Sequence, residues 1–477
     1  MGQEIESERF APGDFDQFAT RLRRETELLA AWFQHDRFSP EGGVAGFELE
    51  VWLVDAQGRP APVNQRFLEV LDNPLVVPEL SVFNVELNTP PLRLHGNVFA
   101  GMRQRLESLW RTCAHHAASL DVEMAMIGIL PTVQESDLTL ANMSRMVRYR
   151  ALNEQVLRMR KGRPIPLEID GMESLRSVHR DVMVEAATTS FQLHLQVKLD
   201  DAMRYFNAAL LLSAPLVAAT ANSPYLFGRD LWDETRIPLF EQAVAVSGSE
   251  QEAGPEYRRV TFGSGYVRES LFELFRENLE QYPPLLPAWT EDAPETLSHL
   301  RLHNGTIWRW NRPLIGYDDQ GTPHLRIEHR VIPAGPSIPD TIANAALFYG
   351  LIETLGRTQG YSRPSFSQCR NNFYAAARDG LQADVVWMNG NRTSLAQLLE
   401  AELLPMARCG LESLGVDADD IEAYLGIIEA RVSAGRTGAH WQRMFVAKHG
   451  RDMQSLVAAY QERLSSGRPV HEWTFEF

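Results

Sequence analysis

The sequence predicts an α+β fold with a largely antiparallel β-sheet. Strand-like segments are scattered among helical ones, without the regular strand–helix–strand alternation that marks a parallel sheet. The C-terminal third is mostly helical by the spacing of its apolar residues. A chain of 477 residues, 44% of them hydrophobic, is long enough to bury a large core in one domain or two.

Each element is predicted from the period of its apolar residues. Alternating apolar and polar side chains predict strands over residues 46–54, 79–88, 124–129, 189–199 and 324–332. Apolar residues at helical spacing predict amphipathic helices over residues 15–35, 98–119, 340–356, 394–413, 418–433 and 451–465, and a buried helix over 203–221. The chain has no GxGxxG or GxxxxGK[ST] loop, so a bound nucleotide would need another fold.

Composition and charge exclude several classes of protein. The net charge of -16 argues against general binding to nucleic acids. The longest apolar run, residues 208–221, is interrupted by polar residues and Pro215 and is shorter than the roughly 20 residues that cross a bilayer. We therefore expect no membrane span, and the acidic N-terminus does not resemble a signal peptide. The three cysteines lack metal-type spacing, which favours reduced thiols in a cytoplasm; they are Cys113, Cys369 and Cys409.

Acidic and basic residues occupy the polar positions of three predicted strands. In GFELEVWLV, Glu48 and Glu50 share one face, because side chains alternate with period two. In ELSVFNVELN, Glu79 and Glu86 form a second carboxylate pair seven residues apart. The third strand, HLRIEHRVI, presents a basic, an acidic and a basic side chain on one face: Arg326, Glu328 and Arg330.

These charges together indicate nucleotide–metal chemistry. Carboxylates held close together repel each other, and divalent cations remove that penalty. Mg²⁺ takes oxygen ligands and leaves positions for substrate phosphates, while arginine binds phosphate oxygens bidentately. Each motif alone is more typical of a solvated strand face or a surface ion-pair ladder, and His194 alone is more typical of a core histidine. On the residues alone, both interpretations stay open.

The same segments, in the same order, resemble the glutamate-cysteine ligases, whose catalytic fold is shared with glutamine synthetase. The resemblance spans residues 40–445. The two carboxylate pairs resemble that family's two metal pairs, and Glu328-x-Arg330 resembles its late strand with a metal ligand and a phosphate-binding arginine. TTSFQLHLQ resembles the strand that provides a histidine or glutamine ligand. ATANSP, residues 219–224, resembles an ANSP stretch that is followed by an arginine contacting substrate or phosphate, here Arg236.

The resemblance implies a role for each of these side chains. The implied metal ligands are Glu48, Glu50, Glu79, Glu86, Gln192 and Glu328. Glu48, Gln192 and Glu328 would bind the ion that bridges the ATP phosphates, and the other three the ion near the substrate carboxylate. The implied nucleotide contacts are His194, Arg236, Arg326 and Arg330, and the implied catalytic residues are Glu328 and Arg330.

The resemblance also implies the architecture and the reaction. The sheet would be curved, with the active site on one face and helices around it. The implied regions are an N-terminal helical segment, residues 1–40, an ATP-dependent ligase region, 41–390, and a C-terminal helical region on the same domain, 391–477. The implied reaction joins L-glutamate to L-cysteine through an acyl phosphate, in glutathione biosynthesis. It uses ATP with Mg²⁺, or Mn²⁺ as the alternative ion, and the implied partners are small molecules, with a homodimer as one option for assembly.

Departures from the family leave the substrates open. No serine precedes Arg236, and Gln192 replaces the histidine of many bacterial members. Arg309 and Arg312 are both candidates for holding a substrate carboxylate. Two alternatives follow: a carboxylate–amine ligase with a different acid and amine, and a binding or regulatory protein that retains the fold.

Overall fold

The computed structural model describes residues 4–246, 258–358, 360, 362–388 and 390–476. Within these residues the α-helices are α1 Pro12–Gln34, α2 Asn64–Leu71, α3 Val98–Ala118, α4 Val147–Met159, α5 Leu199–Thr220, α6 Arg236–Ala243, α7 Phe272–Gln281, α8 Ser298–Gly305, α9 Ile338–Arg357, α10 Phe366–Asp379, α11 Leu395–Leu398, α12 Leu404–Ser413, α13 Ala418–Ser433, α14 Gly438–His449 and α15 Met453–Ser465.

The same residues form a main sheet and several two-stranded pairs. The strands are β1 Val44–Val54, β2 Val76–Pro78, β3 Asn84–Asn88, β4 Leu92–Arg93, β5 Glu123–Ala125, β6 Ile165–Asp170, β7 Ser174–His179, β8 Phe191–Val197, β9 Tyr225–Leu226, β10 Arg229–Asp230, β11 Val260–Thr261, β12 Trp308–Arg309, β13 Asn311–Tyr317, β14 Pro323–His329, β15 Asp384–Val386 and β16 Arg392–Ser394.

The main sheet is antiparallel and has eight strands in the described part of the chain. Its order is β13-β14-β8-β1-β3-β2, and β4 and β5 also pair with β1. The predicted α+β class with a curled, antiparallel sheet is therefore confirmed. β1 is the longest strand and pairs with β8 on one side and β3 on the other, so it brings the sheet's polar side chains together.

The alternation of β1 separates a core face from a polar face. Phe47, Leu49 and Val51 are buried on one side, while Glu48 and Glu50 point to the other. Helix α9 covers the core face, where the Tyr349 hydroxyl donates to the backbone carbonyls of Gly46 and His194 at 3.0 and 3.1 Å. Burying the apolar face against helices fixes the register of the strand. The acidic side chains consequently share one face of the sheet.

Helix α5 is the one described helix that is long and apolar enough to cross a membrane. It is also a core helix, because 89% of its most apolar window is buried inside the protein. It packs against α9 and α10. The sequence had predicted this buried helix over residues 203–221.

The segment 79–88 differs from its prediction as one continuous strand. The chain forms β2, turns after Glu79, and returns as β3, which pairs antiparallel with β2. A backbone hydrogen bond stabilises this turn: the Asn84 N–H donates to the Ser81 carbonyl at 3.3 Å. The predicted strand over 124–129 is also shorter, because only β5 pairs with β1. Strand β13 and helix α4 lie where the sequence predicted neither, and both contribute to the site below.

Candidate active site

A cavity of about 250 Å³ lies on the polar face of the main sheet. Six glutamates and five arginines line it, together with an apolar wall. The glutamates are Glu48, Glu50, Glu79, Glu86, Glu185 and Glu328, and the arginines are Arg148, Arg301, Arg312, Arg326 and Arg330. This density of opposite charges is unusual for a solvated strand face and favours the functional interpretation of the sequence motifs.

Three side chains on adjacent strands form what we call the arginine-flanked cluster: Glu48, His194 and Glu328. Each offers a ligand atom, and these atoms lie within 4.8 Å of one another. Glu328 is directly opposite His194 across the β14–β8 pair, which explains their approach. The His194 Nε2 atom is 3.3 Å from Glu48 Oε1. The other ring nitrogen, Nδ1, is buried without a hydrogen-bond partner among the described residues, which fits a side chain that could bind a cation.

Two arginines compensate the charge of this cluster. Arg312, opposite Glu328 on β13, donates from Nε to Oε2 at 2.8 Å and from Nη2 to Oε1 at 2.9 Å. Arg330 donates from Nη1 to Glu328 Oε2 at 3.1 Å. Burial opposes ionisation of Glu328, but the guanidinium groups of Arg312 and Arg330 lower its pKa to about 2. Glu328 is therefore a carboxylate at any physiological pH.

A second group, which we call the acidic cluster, consists of Glu50, Glu79 and Glu86. Their carboxylate oxygens also lie within 4.8 Å of one another. Glu50 is directly opposite Glu86 across the β1–β3 pair, and Glu79 reaches them from the turn after β2. Burial, with the neighbouring Glu48 carboxylate, raises the pKa of Glu86 to about 7. Burial and the Glu86 and Glu50 carboxylates raise the pKa of Glu79 well above its ordinary value.

Gln192 connects the two clusters. Its Nε2 donates to Glu50 Oε1 at 2.7 Å, and its Oε1 accepts a hydrogen bond from Arg330 Nη1. The geometry therefore gives Gln192 the role of a bridge, whereas His194 occupies the position within the arginine-flanked cluster that the resemblance gave to Gln192. The physical reason is register: His194, and not Gln192, is opposite Glu328.

Arg236, an expected nucleotide contact, does not line the cavity. Its side chain is buried, with Nε 3.2 Å from Glu234 Oε1 and Nη1 donating to the Arg330 carbonyl at 3.2 Å. It holds the backbone behind Arg330, which corrects the expected direct contact. Arg309 is also outside the cavity, because it pairs with Glu277 at 2.5 Å. Arg312 does line the cavity, but its guanidinium is paired with the Glu328 carboxylate.

Four titratable residues of the cavity were not predicted: Arg148, Tyr149, Glu185 and Arg301. Arg148 and Tyr149 are at the start of α4, Arg301 is on α8, and Glu185 is on a short 3₁₀ helix. Burial, with the nearby Glu50 carboxylate, raises the pKa of Glu185 to about 8. None of these residues belongs to a strand with alternating charges, so the sequence carried no periodic signal for them.

Both clusters fit a divalent cation. Carboxylate oxygens and a neutral imidazole nitrogen are suitable donors, and in each group the candidate atoms converge within 4.8 Å. The raised pKa values in the acidic cluster show that its carboxylates are short of positive charge. A cation bound there would supply that charge. The cavity can thus hold two metal ions beside Arg330.

Comparison with known proteins gives one family and a shared fold. A family model described as glutamate-cysteine ligase family 2 matches residues 44–462. Comparison with curated protein sequences gives no match. The crystal structure of glutamate–cysteine ligase from Francisella tularensis in complex with AMP aligns with a TM-score of 0.59 and 12% identity, over 92% of this chain and 91% of that one. A bifunctional glutathione synthetase from Pasteurella multocida aligns with a TM-score of 0.50 and 12% identity, over 93% of this chain and 55% of that one.

At 12% identity, the structural likeness establishes the fold alone. The family match is independent of it and covers β1, β3, β8 and β14, the strands that build both clusters. It also covers the helices that bring Arg148 and Arg301 to the cavity. The chain belongs to glutamate-cysteine ligase family 2, a family of carboxylate–amine ligases.

Proposed function

We propose that the protein is an ATP-dependent ligase that joins the γ-carboxylate of L-glutamate to the amino group of L-cysteine. The observation that carries this proposal is the pair of clusters, each with ligand atoms within 4.8 Å, on either side of the Gln192–Arg330 bridge in one cavity. Phosphoryl transfer needs this combination of cation ligands and a guanidinium group. The products would be γ-glutamylcysteine, ADP and phosphate.

Each cluster would hold one Mg²⁺ or Mn²⁺ ion. Glu48, His194 and Glu328 would hold the ion at the ATP phosphates, and Glu50, Glu79 and Glu86 the ion near the acid substrate. The bound ions would supply positive charge to oxygens of the phosphates and of the carboxylate. Arg312 and Arg330 keep Glu328 ionised, and therefore ready to bind a cation without first losing a proton.

Arg330 is the residue we assign to the transferring phosphoryl group. Its Nη1 already donates to Gln192 and Glu328, so the guanidinium is fixed before substrate binds. Fixed donors stabilise charge that develops in a transition state without reorganising. Arg236 restrains the same residue from behind, through two hydrogen bonds to the Arg330 carbonyl at 3.2 Å. Arg330 is thus held at its backbone and at its side chain.

The chemistry follows from the two substrates. A γ-carboxylate oxygen attacks the γ-phosphorus of ATP, the bond to the β,γ-bridging oxygen breaks, and ADP leaves. The amine nitrogen, after losing a proton from its ammonium form, attacks the carbonyl carbon of the acyl phosphate. The carbon–oxygen bond to phosphate then breaks, and the nitrogen releases a further proton as the amide forms. The residues of the cavity position the substrates and neutralise their negative charge, and no side-chain nucleophile is required.

The comparisons support the nucleotide part of the proposal. The structural neighbour from Francisella tularensis is a glutamate–cysteine ligase in complex with AMP, and it aligns over most of both chains. We extend nucleotide binding to this protein because its cavity offers cation ligands and arginines. We also propose a cytoplasmic location, consistent with three free cysteines. Oligomeric state, with a homodimer as one option, stays a prediction.

Two other functions make different predictions. A carboxylate–amine ligase with another acid or amine would keep every role described above, since neither cluster recognises the rest of the substrate. A binding protein that retains the fold would use the clusters for structural cations. The bidentate Arg312–Glu328 pair favours an enzyme over this second alternative, because it holds Glu328 ionised where its side chain lines the cavity.

ADP release tests the proposal directly. The purified protein is given ATP, Mg²⁺ and L-glutamate, followed by L-cysteine and then by a panel of other acids and amines. Turnover that requires glutamate and cysteine supports the stated activity. Turnover with another pair keeps the ligase chemistry and changes the substrate, whereas no release with any pair favours the binding protein.

A further inference from the structure

An N-terminal arm, residues 4–34, lies against two helices of the cavity wall. It consists of an irregular segment followed by helix α1, and it precedes residues 44–462, which match the family. None of its residues lines the cavity. The arm nevertheless contacts α4, which carries Arg148 and Tyr149, and α8, which carries Arg301. The question is what these contacts do for the cavity residues.

The first of the two helices, α4, has no cap of its own. Met146 occupies its N-cap position, and this side chain makes no capping hydrogen bond. The first N–H groups of a helix have no acceptor within the helix. The Glu4 carboxylate supplies one here, because its Oε1 accepts from the Arg148 N–H at 3.1 Å. Glu4 therefore caps the turn from which Arg148 and Tyr149 reach the cavity.

Helix α8 is capped in the same way by a glutamate of the arm. Its own N-cap residue, Leu297, makes no capping hydrogen bond. Glu25, on α1, accepts from the Leu300 N–H through Oε2 at 2.9 Å, and its Oε1 lies 2.8 Å from His299 Nδ1. Glu25 and His299 are both buried. This buried carboxylate, which belongs to neither cluster, thus holds the turn that leads directly into Arg301.

The capped turns place side chains beside the sheet's charged face. Burial raises the pKa of Glu79 in the acidic cluster, and the nearby Arg148 guanidinium opposes that rise. Arg148 also donates from Nη2 to the Tyr149 hydroxyl at 2.9 Å. On α8, the Arg301 guanidinium lies 5.5 Å from the centre of the Tyr317 ring on β13. A helix end without its cap frays, and fraying would move these groups away from the sheet.

We propose that the N-terminal arm is a functional part of the active site, with Glu4 and Glu25 as positioning residues for the wall helices α4 and α8. Glu4 holds Arg148 and Tyr149 beside the acidic cluster, and Glu25 holds Arg301. The inference rests on the proposed function for the identity of the substrates. In that function the acid substrate lies near the acidic cluster, so the Glu4 cap should act on the acid and not on the nucleotide.

Substitution of Glu4 tests the inference, and its variants should fold because the side chain is exposed. Glu4→Ala removes the acceptor, whereas Glu4→Gln keeps an oxygen that can accept the same hydrogen bond. Hydrogen exchange at the start of α4 should be about fivefold faster in Glu4→Ala, the usual effect of a lost cap, and close to wild type in Glu4→Gln. Glu8→Ala is the matched control. Glu8 belongs to the same arm and pairs at 3.0 Å with Arg150, a residue of α4 that does not line the cavity.

Steady-state kinetics distinguishes positioning from a general loss of stability. In Glu4→Ala the KM for the acid should rise about fivefold, while kcat and the KM for ATP stay within about twofold of wild type. Glu4→Gln should restore most of the acid's KM, and Glu8→Ala should leave all three parameters unchanged. Faster exchange in Glu4→Ala with an unchanged KM for the acid would overturn the inference. Equal effects in Glu4→Ala and Glu8→Ala would overturn it as well.

Glu25→Ala applies the same test to the second helix. Circular dichroism would first verify the fold, because Glu25 is buried. A folded variant should exchange faster at the start of α8 and not at the start of α4; unchanged exchange in α8 would overturn the inference for Glu25. If this variant does not fold, the Glu4 variants decide.

A wild type that turns over no acid–amine pair would contradict the proposed function and leave hydrogen exchange to decide the inference. Faster exchange confined to the start of α4 in Glu4→Ala, and restored in Glu4→Gln, would then support it. Exchange in Glu4→Ala equal to that in Glu8→Ala would overturn it.

Discussion

The two clusters contain similar ligands but differ in how their charge is balanced. In the arginine-flanked cluster, Arg312 and Arg330 lower the pKa of Glu328 to about 2, against the effect of burial. In the acidic cluster, burial and neighbouring carboxylates raise the pKa of Glu86 to about 7, and Glu185 nearby has a pKa of about 8. The protein itself balances the charge of one cluster, whereas a cation would be needed to balance the charge of the other.

This difference suggests a division of labour on one sheet face. A cluster that is charged and compensated before ligands arrive is suited to bind a nucleotide with its ion at any pH near neutrality. A cluster that holds protons when empty must exchange them for metal, so its occupancy depends on pH and on metal concentration. Gln192 joins the two, because it bonds to Glu50 and accepts a hydrogen bond from Arg330.

Removing the charge of Glu328 should give the largest effect. Glu328→Gln leaves Arg312 and Arg330 without their carboxylate and removes a predicted metal ligand, so we expect kcat to fall at least about 100-fold. Glu277→Gln is the control, because Glu277 also pairs with a buried arginine, Arg309, but lies outside the cavity. Circular dichroism would verify that both variants are folded. Near-normal turnover in Glu328→Gln would contradict the assigned role.

Glu86→Gln should weaken metal binding but raise the stability of the metal-free protein. We expect Mg²⁺ affinity to fall about 10- to 100-fold, as a ligand charge is lost. The pKa of Glu86 is raised from 4.5 to about 7, so its ionisation lowers stability as the pH rises through that range. In EDTA at pH 8 the variant should therefore melt at a higher temperature than wild type. A lower melting temperature in EDTA would mean that the carboxylate stabilises the empty protein.

The strands of the site could be predicted because their charges follow a period of two. That period alone put Glu48 beside Glu50, and Arg326 on one face with Glu328. It gave the wrong local structure for Glu79 and Glu86. In one continuous strand, residues seven apart lie on opposite faces and roughly 23 Å away from each other. The turn after β2 reverses the chain and brings their oxygens within 4.8 Å.

The remaining residues of the site depend on long-range packing. Arg148, Glu185 and Arg301 reach the cavity from helical segments, and no local pattern says which helix faces the sheet. The exchange between Gln192 and His194 has a similar cause. Both point to the same face of β8, and only the register between β8 and β14 decides which one is opposite Glu328. A single sequence does not contain that register.

Breaking the bridge between the clusters should have a moderate effect. Gln192→Ala removes the donor to Glu50 and the acceptor for Arg330, while Arg330 keeps its contact with Glu328. We expect kcat to fall about tenfold, the equivalent of one charge-assisted hydrogen bond. Gln196→Ala on the same strand is the control, because its Nε2 donates to the exposed Glu41 carbonyl at 3.2 Å and does not line the cavity. Equal losses in both variants would indicate a general weakening of β8.

The smallest expected effect is that of pH on Mg²⁺ affinity, and it tests the difference between the two clusters most specifically. A proton on Glu86 must leave before a cation binds, so Mg²⁺ affinity should rise with pH through its pKa of about 7. Between pH 6.5 and 8 the ionised fraction of such a group grows about fourfold, and the Mg²⁺ affinity should rise in proportion.

Calorimetry in buffers of different ionisation enthalpy would count the protons released when Mg²⁺ binds. Glu86→Gln should lose most of this dependence, because Glu328, with a pKa of about 2, has no proton to release in that range. A pH dependence that persists unchanged in the variant would place the titrating group elsewhere, and the acidic cluster would then be as well compensated as its neighbour.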